Sequence, residues 1–441
     1  MQKKRLSPVQ TITLSFAAVM LVGAILLTLP LASRSGESVS FIDALFISAS
    51  ASCVTGLSVF ETVAQWSLFG QLVILVLVQI GGIGIITLAM YLLSLLHAKI
   101  GMRNRFALQE SIGAETSAGV VKMTRFIAGG MVFFELFGAL LLMPVFIRDF
   151  GVAKGIYYSV FHSVSAFCNA GFDLLGAESL SPYSANLYVN IVIMALIVIG
   201  GLGFFVWLDL VKNKLRFGKM TLHTKIVIVT TAVLLIFGAL FIFILSYGSK
   251  AFEGKTLFEK ILASCFQSVT ARTAGFYTAD LNALGGAAQA FMIVLMLIGG
   301  ASGSTAGGIK VTTVAVILLL VRSIFVGKED IEVYGRRIER RIVRTAIVIF
   351  VIYLGLALAS GIAISAIEGA DITASMFESF SAIATVGLSL SLTPTLSAAS
   401  KVIIILLMFI GRVGGLTILF SLSGKKDASV GRYPAENVTV G

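Results

Sequence analysis

The chain has 441 residues, of which 57% are hydrophobic and 12% are charged, and its formal net charge is +11. Soluble domains carry about 25% charged residues, so this composition excludes a sizeable soluble domain and indicates a polytopic membrane protein. Twenty-three of the 33 Lys and Arg fall in five segments that alternate with Lys-poor loops. This positive-inside pattern predicts a multi-pass protein of the cell membrane with both termini cytoplasmic, and it argues against nucleic acid as a partner.

Eight apolar stretches read as candidate membrane spans, in pairs along the chain. Their approximate bounds are 9–31, 68–96, 124–147, 186–211, 223–247, 287–325, 342–366 and 401–422. Within each pair lies a moderately apolar stretch, such as 41–52 or 372–384, which is too short to cross the bilayer and indicates a re-entrant half-helix. The predicted fold is therefore an all-α polytopic membrane protein with eight transmembrane helices and four re-entrant pore helices.

The spans and half-helices group into four repeats of one form: a span (M1), a half-helix (P), a return loop and a second span (M2). The predicted boundaries are 1–97, 98–212, 213–328 and 329–441, where the last includes a short cytoplasmic tail. Each repeat crosses the membrane twice, so all four share one orientation and surround a single pore on a pseudo-fourfold axis. Carriers built from inverted repeats alternate their orientation instead.

A Phe-x-Ser triplet in each half-helix is followed by a glycine in each return loop. The glycine comes 8, 8, 7 and 8 residues after the Ser, from Ser48 to Gly56, Ser163 to Gly171, Ser268 to Gly275 and Ser379 to Gly387. Glycine permits the backbone conformations in which a ring of carbonyl oxygens replaces the hydration shell of a cation. The predicted ion-binding residues are Cys53, Val54, Thr55, Gly56, Asn169, Ala170, Gly171, Thr273, Ala274, Gly275, Thr385, Val386 and Gly387. The alternative is that these glycines only pack helices.

A second glycine motif follows each return loop, inside the second span. The four copies are at 80–84, 199–203, 298–300 and 410–414. For the first two copies we prefer close helix packing through small residues. The third copy opens a run of small residues that should break the helix beside a water-filled cavity, because each glycine costs about 1 kcal/mol in a helix interior. We predict a pore-obstructing gate loop made of Gly299, Gly300, Ala301, Ser302, Gly303, Ser304, Thr305, Ala306, Gly307 and Gly308.

Several charged residues accompany these motifs. Arg412 lies in the fourth copy of the second motif, and a charge at bilayer depth normally faces a cavity or a partner. We expect it in the pore beneath the return loops as part of the gate, and an ion pair with Glu135 is the alternative. Arg272 precedes the third return loop, where we expect it to brace the backbone. Asp43 and Asp371 are expected to cap half-helices and to attract cations to the mouth.

With these loops the chain resembles the Trk/Ktr/HKT superfamily of potassium transporters over nearly its whole length, and it is most similar to the KtrB-type membrane subunit. The resemblance implies four M1–P–M2 repeats around one pore and an intramembrane gating loop in the third repeat. It also implies K+ preference, because Gly56 stands where sodium-preferring plant members have Ser. It further implies a homodimer and a cytosolic KtrA-like ring of Rossmann-type nucleotide-binding regulators, docked on the basic segments.

The expected function is K+ uptake through a gated, filter-lined pore, as the ion-translocating subunit of a Ktr-type system. A sodium-preferring or Na+/K+-coupled transporter is the alternative, and a carrier driven by protons would depend on Glu135. An enzyme is not expected, because no metal-spaced cluster, Ser/His/Asp set or phosphate loop is evident. No cofactor is expected in this chain. K+ is the transported ion, a monovalent cation is the only metal expected at the filter, and membrane lipids are the other partner.

Overall fold

The computed structural model describes residues 8–84, 87–88, 120–414 and 436. This part of the chain is mostly helical, and its helices follow the order that the repeats predict. Four described helices are long and apolar enough to cross a membrane alone, and a bent pair adds a fifth if it is one span. The four are Gln10–Thr28, Val121–Phe150, Leu222–Ser246 and Arg340–Glu368. These helices support a multi-pass membrane protein, and the number of eight spans stays a prediction.

The elements fall into the four predicted groups. The first contains α1 (Pro8–Thr28), α2 (Phe41–Ser52), α3 (Thr62–Gln65) and α4 (Leu68–Ile83). The second contains α5 (Val120–Phe150), α6 (Val152–Phe167), α7 (Leu187–Gly201) and α8 (Phe204–Lys212). The third contains α9 (Leu222–Ser246), α10 (Leu257–Thr270), α11 (Gly286–Leu297) and α12 (Val311–Phe325). The fourth contains β1 (Ile331–Val333), β2 (Arg336–Ile338), α13 (Arg340–Glu368), α14 (Ile372–Ala384) and α15 (Ala398–Val413).

The short helices α2, α6, α10 and α14 contain 12, 16, 14 and 13 residues. At 1.5 Å per residue they span about 18–24 Å, which is less than the ~30 Å hydrocarbon core of a bilayer. Each packs against the long helix of its own repeat. Ser40 and Asp371 accept hydrogen bonds from amides of the first turns, and Thr256 with Glu259 forms a capping box. Their lengths and caps fit the predicted half-crossing helices.

One contact between repeats recurs four times and closes a ring. The helix after each return loop packs against the half-helix of the next repeat: α4 against α6, α7 against α10, and α11 against α14. The same contact joins α15 of the last repeat to α2 of the first. Since every repeat uses the same surface for its neighbour, the arrangement is pseudo-fourfold. This ring gathers the four return loops around its centre.

The second spans differ from the prediction of continuous helices. Helix α7 ends at Gly201, and the chain turns by 93° into α8 around Gly203, which has φ +93°. Helices α4 and α15 end at Ile83 and Val413, each just before a glycine with positive φ. The continuous span predicted at 186–211 is therefore wrong. The rest of the spans predicted at 68–96 and 401–422 lies outside the described residues, apart from 87–88.

A β-hairpin stands in the basic segment 322–344, where only helices were expected. Strands β1 and β2 pair antiparallel, with Ile331 opposite Ile338. The turn consists of Tyr334 and Gly335, both with positive φ, the geometry favoured in two-residue hairpins. The side chains of Ile331 and Ile338 are buried in a cluster with α12 and α13. A hydrogen bond from Arg337 lowers the pKa of Asp330 beside the strands, so this carboxylate stays charged at neutral pH.

Candidate functional site

The four return-loop glycines lie against one another at the centre of the ring. A Cβ atom added to Gly56 would lie 3.2 Å from the Cα of Gly171 and 3.3 Å from the Cα of Gly387. One added to Gly275 would lie 2.9 Å from the Cα of Gly171 and 3.4 Å from that of Gly387. Each glycine therefore has two glycine neighbours, and the spaces around them admit no side chain.

All four loops share one unusual backbone conformation. In each, the glycine has positive φ, and so does the residue two positions before it. Those residues are Val54 (58°), Asn169 (59°), Thr273 (71°) and Thr385 (52°). A left-handed conformation costs about 1–2 kcal/mol per residue for L-amino acids, and for β-branched residues such as Val54 it is a true outlier. Strain of this kind persists at functional sites, and its repetition in four loops indicates that the backbone itself carries the function.

A hydroxyl residue in each half-helix holds the loop of its own repeat. The backbone carbonyl of this residue accepts from the amide just before the glycine, at 2.7–3.0 Å in all four repeats. The hydroxyls of Ser50 and Ser381 accept from the glycine amides at 3.1 Å. Those of Ser165 and Thr270 donate to the carbonyls of Phe172 and Phe276. We call Ser50, Ser165, Thr270 and Ser381 the loop clamp. Sequence analysis missed it, although a Ser or Thr at a fixed distance before each glycine was a usable signal.

The Ser of each Phe-x-Ser triplet attaches the half-helix to the long helix of its repeat. Its hydroxyl donates to a main-chain carbonyl on that helix at 2.6–2.9 Å in every repeat. The pairs are Ser48 with Met20, Ser163 with Glu135, Ser268 with Leu235 and Ser379 with Ala357. A glycine on each long helix makes room for this Ser, namely Gly23, Gly138, Gly238 and Gly361. The triplet Ser is therefore a helix-docking residue, a role that the sequence alone did not assign.

The residue before the triplet Ser supports the chain beyond the loop in two repeats. His162 accepts a hydrogen bond from the amide of Leu174 at 3.3 Å through Nε2. Glu378 accepts from the hydroxyls of Ser389 and Thr393. Both side chains are fully buried, and both reach only the segment just after their own loop glycine. Their contacts fix the outer end of the loops.

The glycines of the second motif lie against the ends of the half-helices. A Cβ on Gly81, Gly200 or Gly411 would overlap the carbonyl oxygens of Ser52, Phe167 and Ile383 respectively. These oxygens belong to the last turns of α2, α6 and α14, so only glycine lets the two helices approach. The packing interpretation of the first two copies is confirmed, and the fourth copy serves the same purpose.

The gate loop lies directly beneath the return loops. The helical path stops at Leu297 and resumes at Val311, as the small residues predict. The amide of Gly299 donates to Ile309 at 2.8 Å, which closes the loop at its base. At its far end, Gly307 touches the side chain of Thr385 in the fourth return loop. The structure thus places residues 299–308 across the inner end of the central axis.

Arg412 is bound to this loop. Its guanidinium donates to the carbonyls of Thr305 and Gly81, and to Gly82 at 3.3 Å. Its side chain lines a cavity of about 250 Å³, together with Lys310. The alternative ion pair does not form, because Glu135 instead accepts from Gln79 at 2.9 Å. Arg412 therefore occupies the position beneath the return loops that the sequence predicts.

Lys310 and Arg272 bind the two ends of the gate loop. The ammonium of Lys310 donates to the carbonyl of Ala306 at 2.6 Å. Arg272 is buried, and its Nη2 donates to the Thr231 hydroxyl at 3.5 Å and to the Gly299 carbonyl at 3.4 Å. Among the described residues Arg272 forms no ion pair. It braces the backbone through hydrogen bonds, as predicted.

A cavity of about 490 Å³ lies above the glycines, on the side opposite the gate loop. Its lining includes all four loop glycines and the side chains of Glu61 and Asp173. Asp43 does not line it, because its carboxylate pairs with Lys401 at 2.6 Å. The expectation that Asp43 attracts cations is therefore corrected, since its charge is already neutralised. Asp371 caps α14 as expected.

Comparison with known proteins places this geometry in a family. The TrkH family, described as cation transport protein, matches residues 6–430. The potassium/sodium uptake protein NtpJ of Enterococcus hirae is 42% identical, over 100% of this chain and 98% of its own length. The Ktr system potassium uptake protein B of Bacillus subtilis is 39% identical, over 99% and 97% of the two chains. The crystal structure of the potassium transporter TrkH from Vibrio parahaemolyticus superposes with a TM-score of 0.76 at 17% identity, covering 96% of this chain and 86% of that one. The chain belongs to the TrkH family of cation transport proteins.

Proposed function

We propose that this chain moves K+ across the cell membrane along the axis between the four return loops, as the ion-translocating subunit of a Ktr-type uptake system. One observation carries the proposal: four loops repeat the same pair of left-handed residues and bring their glycines into contact on one axis. Alternating left-handed and right-handed residues turn successive carbonyls to one side of a chain. A ring of such carbonyls is the ligand set that replaces the water of a dehydrated cation.

The half-helices add a favourable field for a cation. Each ends one or two residues before the left-handed position of its own loop. A helix carries about half a negative charge at its C-terminus, so four such ends around one axis favour positive charge there. On the outer side, the carboxylates of Glu61 and Asp173 line the cavity above the glycines. Acidic linings concentrate cations at a pore mouth.

The gate loop and Arg412 supply the barrier of the proposed pathway. The loop separates the outer cavity from the inner one, and Arg412 fixes it by hydrogen bonds to the Thr305 carbonyl. A guanidinium in the inner cavity opposes cations both by its charge and by holding the loop in place. Flux then requires the loop to move, which makes the inner side the regulated one.

The names of the relatives support K+ as the substrate, and they also favour one alternative. Two of the three relatives compared above are named potassium uptake protein or potassium transporter. The relative with 42% identity is named for both potassium and sodium. A transporter that accepts Na+ beside K+, or couples the two ions, is therefore the second candidate. Competition between the two ions in one assay separates the candidates.

The basic segments support a regulatory partner on the inner side. Two of them, 212–225 and 322–344, form one surface, because the Lys225 ammonium lies 5.6 Å from the ring centroids of both Phe217 and Tyr334. The surface carries exposed cationic side chains, among them Arg336 and Arg337. We infer cytoplasmic termini, a homodimer, and docking of a KtrA-like nucleotide-binding ring on this surface, with anionic lipid as the competing ligand. Binding of the purified ring, lost on charge reversal at Arg336 and Arg337, tests the docking.

Uptake of radioactive Rb+ into proteoliposomes that contain this chain tests the proposed function. Wild type is compared with Gly56→Ser, with Na+ and K+ as competitors. We expect K+ to compete strongly with Rb+ in wild type and Na+ weakly. Gly56→Ser should reduce this preference by about tenfold or more, because the side chain overlaps the Ala170 carbonyl and changes the ring.

Gly36→Ser is the matched control. Gly36 also has positive φ, at 75°, but no atom lies within 4 Å of a Cβ placed there. Both substitutions therefore strain the backbone alike, and only one disturbs the axis. If Gly56→Ser and Gly36→Ser select between K+ and Na+ equally well, the return loops are not the selective site.

A further inference from the structure

The gate loop is attached to the return loops by hydrogen bonds as well as lying beneath them. We propose that Thr305 and Arg272 are positioning residues that join the gate loop to the return loops, so that displacing the loop also loosens the ion-binding backbone. This inference rests on the proposed function. It adds that the gate and the selective site form one mechanical unit, and it names the two side chains that connect them.

Thr305 is the first connection. Its side chain is fully buried. Its hydroxyl donates to the carbonyl of Phe167 at 3.2 Å and lies 3.5 Å from the amide oxygen of Asn169. Asn169 is the left-handed residue of the second return loop, and its amide in turn is hydrogen-bonded to the Thr273 hydroxyl at 3.3 Å. One hydroxyl of the gate loop therefore contacts the second return loop, and through Asn169 it reaches the third.

The main chain of Thr305 points the connection the other way. Its carbonyl accepts from the guanidinium of Arg412, and its amide donates to Gly200 at 3.3 Å. The residue thus carries the charge-assisted bond to Arg412 and the hydroxyl bond to the second return loop at the same time. When Arg412 releases the loop, the strain falls on a residue that also holds the ion-binding backbone.

Arg272 is the second connection. It immediately precedes Thr273, the left-handed residue of the third return loop. Its guanidinium donates to the carbonyl of Gly299, the first residue of the gate loop, and to Thr231 on α9. The carbonyl groups that end α10 lie next to it in the chain, and the negative end of that helix favours a buried cation there. Arg272 therefore fixes the start of the gate loop to the third return loop and to the scaffold.

The fourth return loop is in contact with the far end of the gate loop. A Cβ on Gly308 would lie 2.9 Å from the carbonyl oxygen of Ala384, and Gly307 packs on the Thr385 side chain. The gate loop thus touches three of the four return loops. A loop packed this closely cannot move far without changing the loops above it, because such contacts shift between discrete arrangements rather than stretch.

The test uses Thr305→Val, which keeps the shape of the side chain and removes its hydroxyl. Rb+ uptake and the Rb+/Na+ ratio are measured in proteoliposomes that contain the full chain. We expect Thr305→Val to raise uptake in the absence of a partner and to lower the Rb+/Na+ ratio by about three- to tenfold, the range for one lost hydrogen bond. Thr305→Ser keeps the hydroxyl and should restore the ratio. Thr395→Val makes the same chemical change at an exposed residue outside the pathway.

The outcomes separate this inference from the proposed function. If wild type shows no selective Rb+ uptake, the proposed function is wrong. If wild type is selective and Thr305→Val raises uptake without changing the ratio, the loop is an independent plug and the inference is overturned. A loss of uptake and of thermal stability together, with an unchanged ratio, also overturns it, because that pattern indicates a purely structural residue. Arg272→Gln should lower the Rb+/Na+ ratio as Thr305→Val does, and an unchanged ratio rejects its role.

Discussion

Lys401 and Asp43 form an ion pair of 2.6 Å that joins the last repeat to the first. Their side chains are only 13% and 17% exposed, so the pair is largely shielded from water. Lys401 is the fourth residue of α15, and Gln71 is the fourth residue of α4. Gln71 bonds to Tyr157 of the next half-helix, so an ion pair closes the ring where a neutral hydrogen bond joins repeats 1 and 2.

Breaking this pair should destabilise the protein. Lys401→Met leaves the Asp43 carboxylate without its cation in a shielded place, which costs about 1–3 kcal/mol and should lower the melting temperature in detergent. The double variant Lys401→Gln with Asp43→Asn should recover most of the loss, because it restores a neutral pair like the one at Gln71. The exposed pair Lys328–Glu332 is the control. Lys328→Met should change stability by less than about 0.5 kcal/mol, and an equal loss in both single variants contradicts the ring-closing role.

Removing one hydroxyl of the loop clamp should weaken selection between ions. Ser50→Ala deprives the Gly56 amide of its 3.1 Å acceptor, so the first return loop loses a contact that fixes its conformation. We expect the preference for Rb+ over Na+ to fall by about two- to tenfold, in line with one hydrogen bond. Competition uptake in proteoliposomes measures it. Ser35→Ala, at an exposed position, is the control, and an unchanged preference in Ser50→Ala shows that the clamp is dispensable.

A methyl group at Gly138 should separate a half-helix from its long helix. The added Cβ would lie 2.5 Å from the Ser163 hydroxyl and 2.7 Å from Leu196. Overpacking of this kind costs about 1–3 kcal/mol, so Gly138→Ala should lower the melting temperature. Gly129 is on the same helix with no atom within 4 Å of a Cβ, so Gly129→Ala should be neutral or stabilising. Equal effects at the two positions are inconsistent with Ser163 docking.

Replacing Glu135 tests the carrier alternative. The carboxyl is buried, accepts from Gln79 and lies 3.6 Å from the Cys168 sulfur, in a place without a cationic partner among the described residues. Glu135→Gln keeps the shape and one acceptor oxygen. We expect Rb+ uptake to stay within about twofold of wild type and to ignore an imposed proton gradient, because surface and isosteric changes away from a site are usually small. Uptake that follows the proton gradient in wild type and stops in Glu135→Gln favours a proton-coupled carrier.

The local pattern of the chain predicted much of this architecture. Apolar length gave the long helices, and the spacing from the triplet Ser to the loop glycine located the return loops. The run from Gly299 to Gly308 marked the break in the third second-span, because so many glycines cannot stay helical in an apolar segment. The same reasoning failed at Gly203, where a single glycine with positive φ turns the chain by 93°. One glycine is a weak local signal, and its surroundings decide whether the helix bends.

By itself the sequence determined the four repeats, the glycine loops and the position of the gate loop, since each depends on residues close together along the chain. Only the tertiary structure decided which groups meet. Arg412 bonds to Gly81 across 331 positions, and Lys401 pairs with Asp43 across 358. The partner of Arg412 was open between the pore and Glu135 because both are compatible with a buried charge. The closure of the ring settled it, by bringing the backbone carbonyls of the first and third repeats to the guanidinium of the fourth.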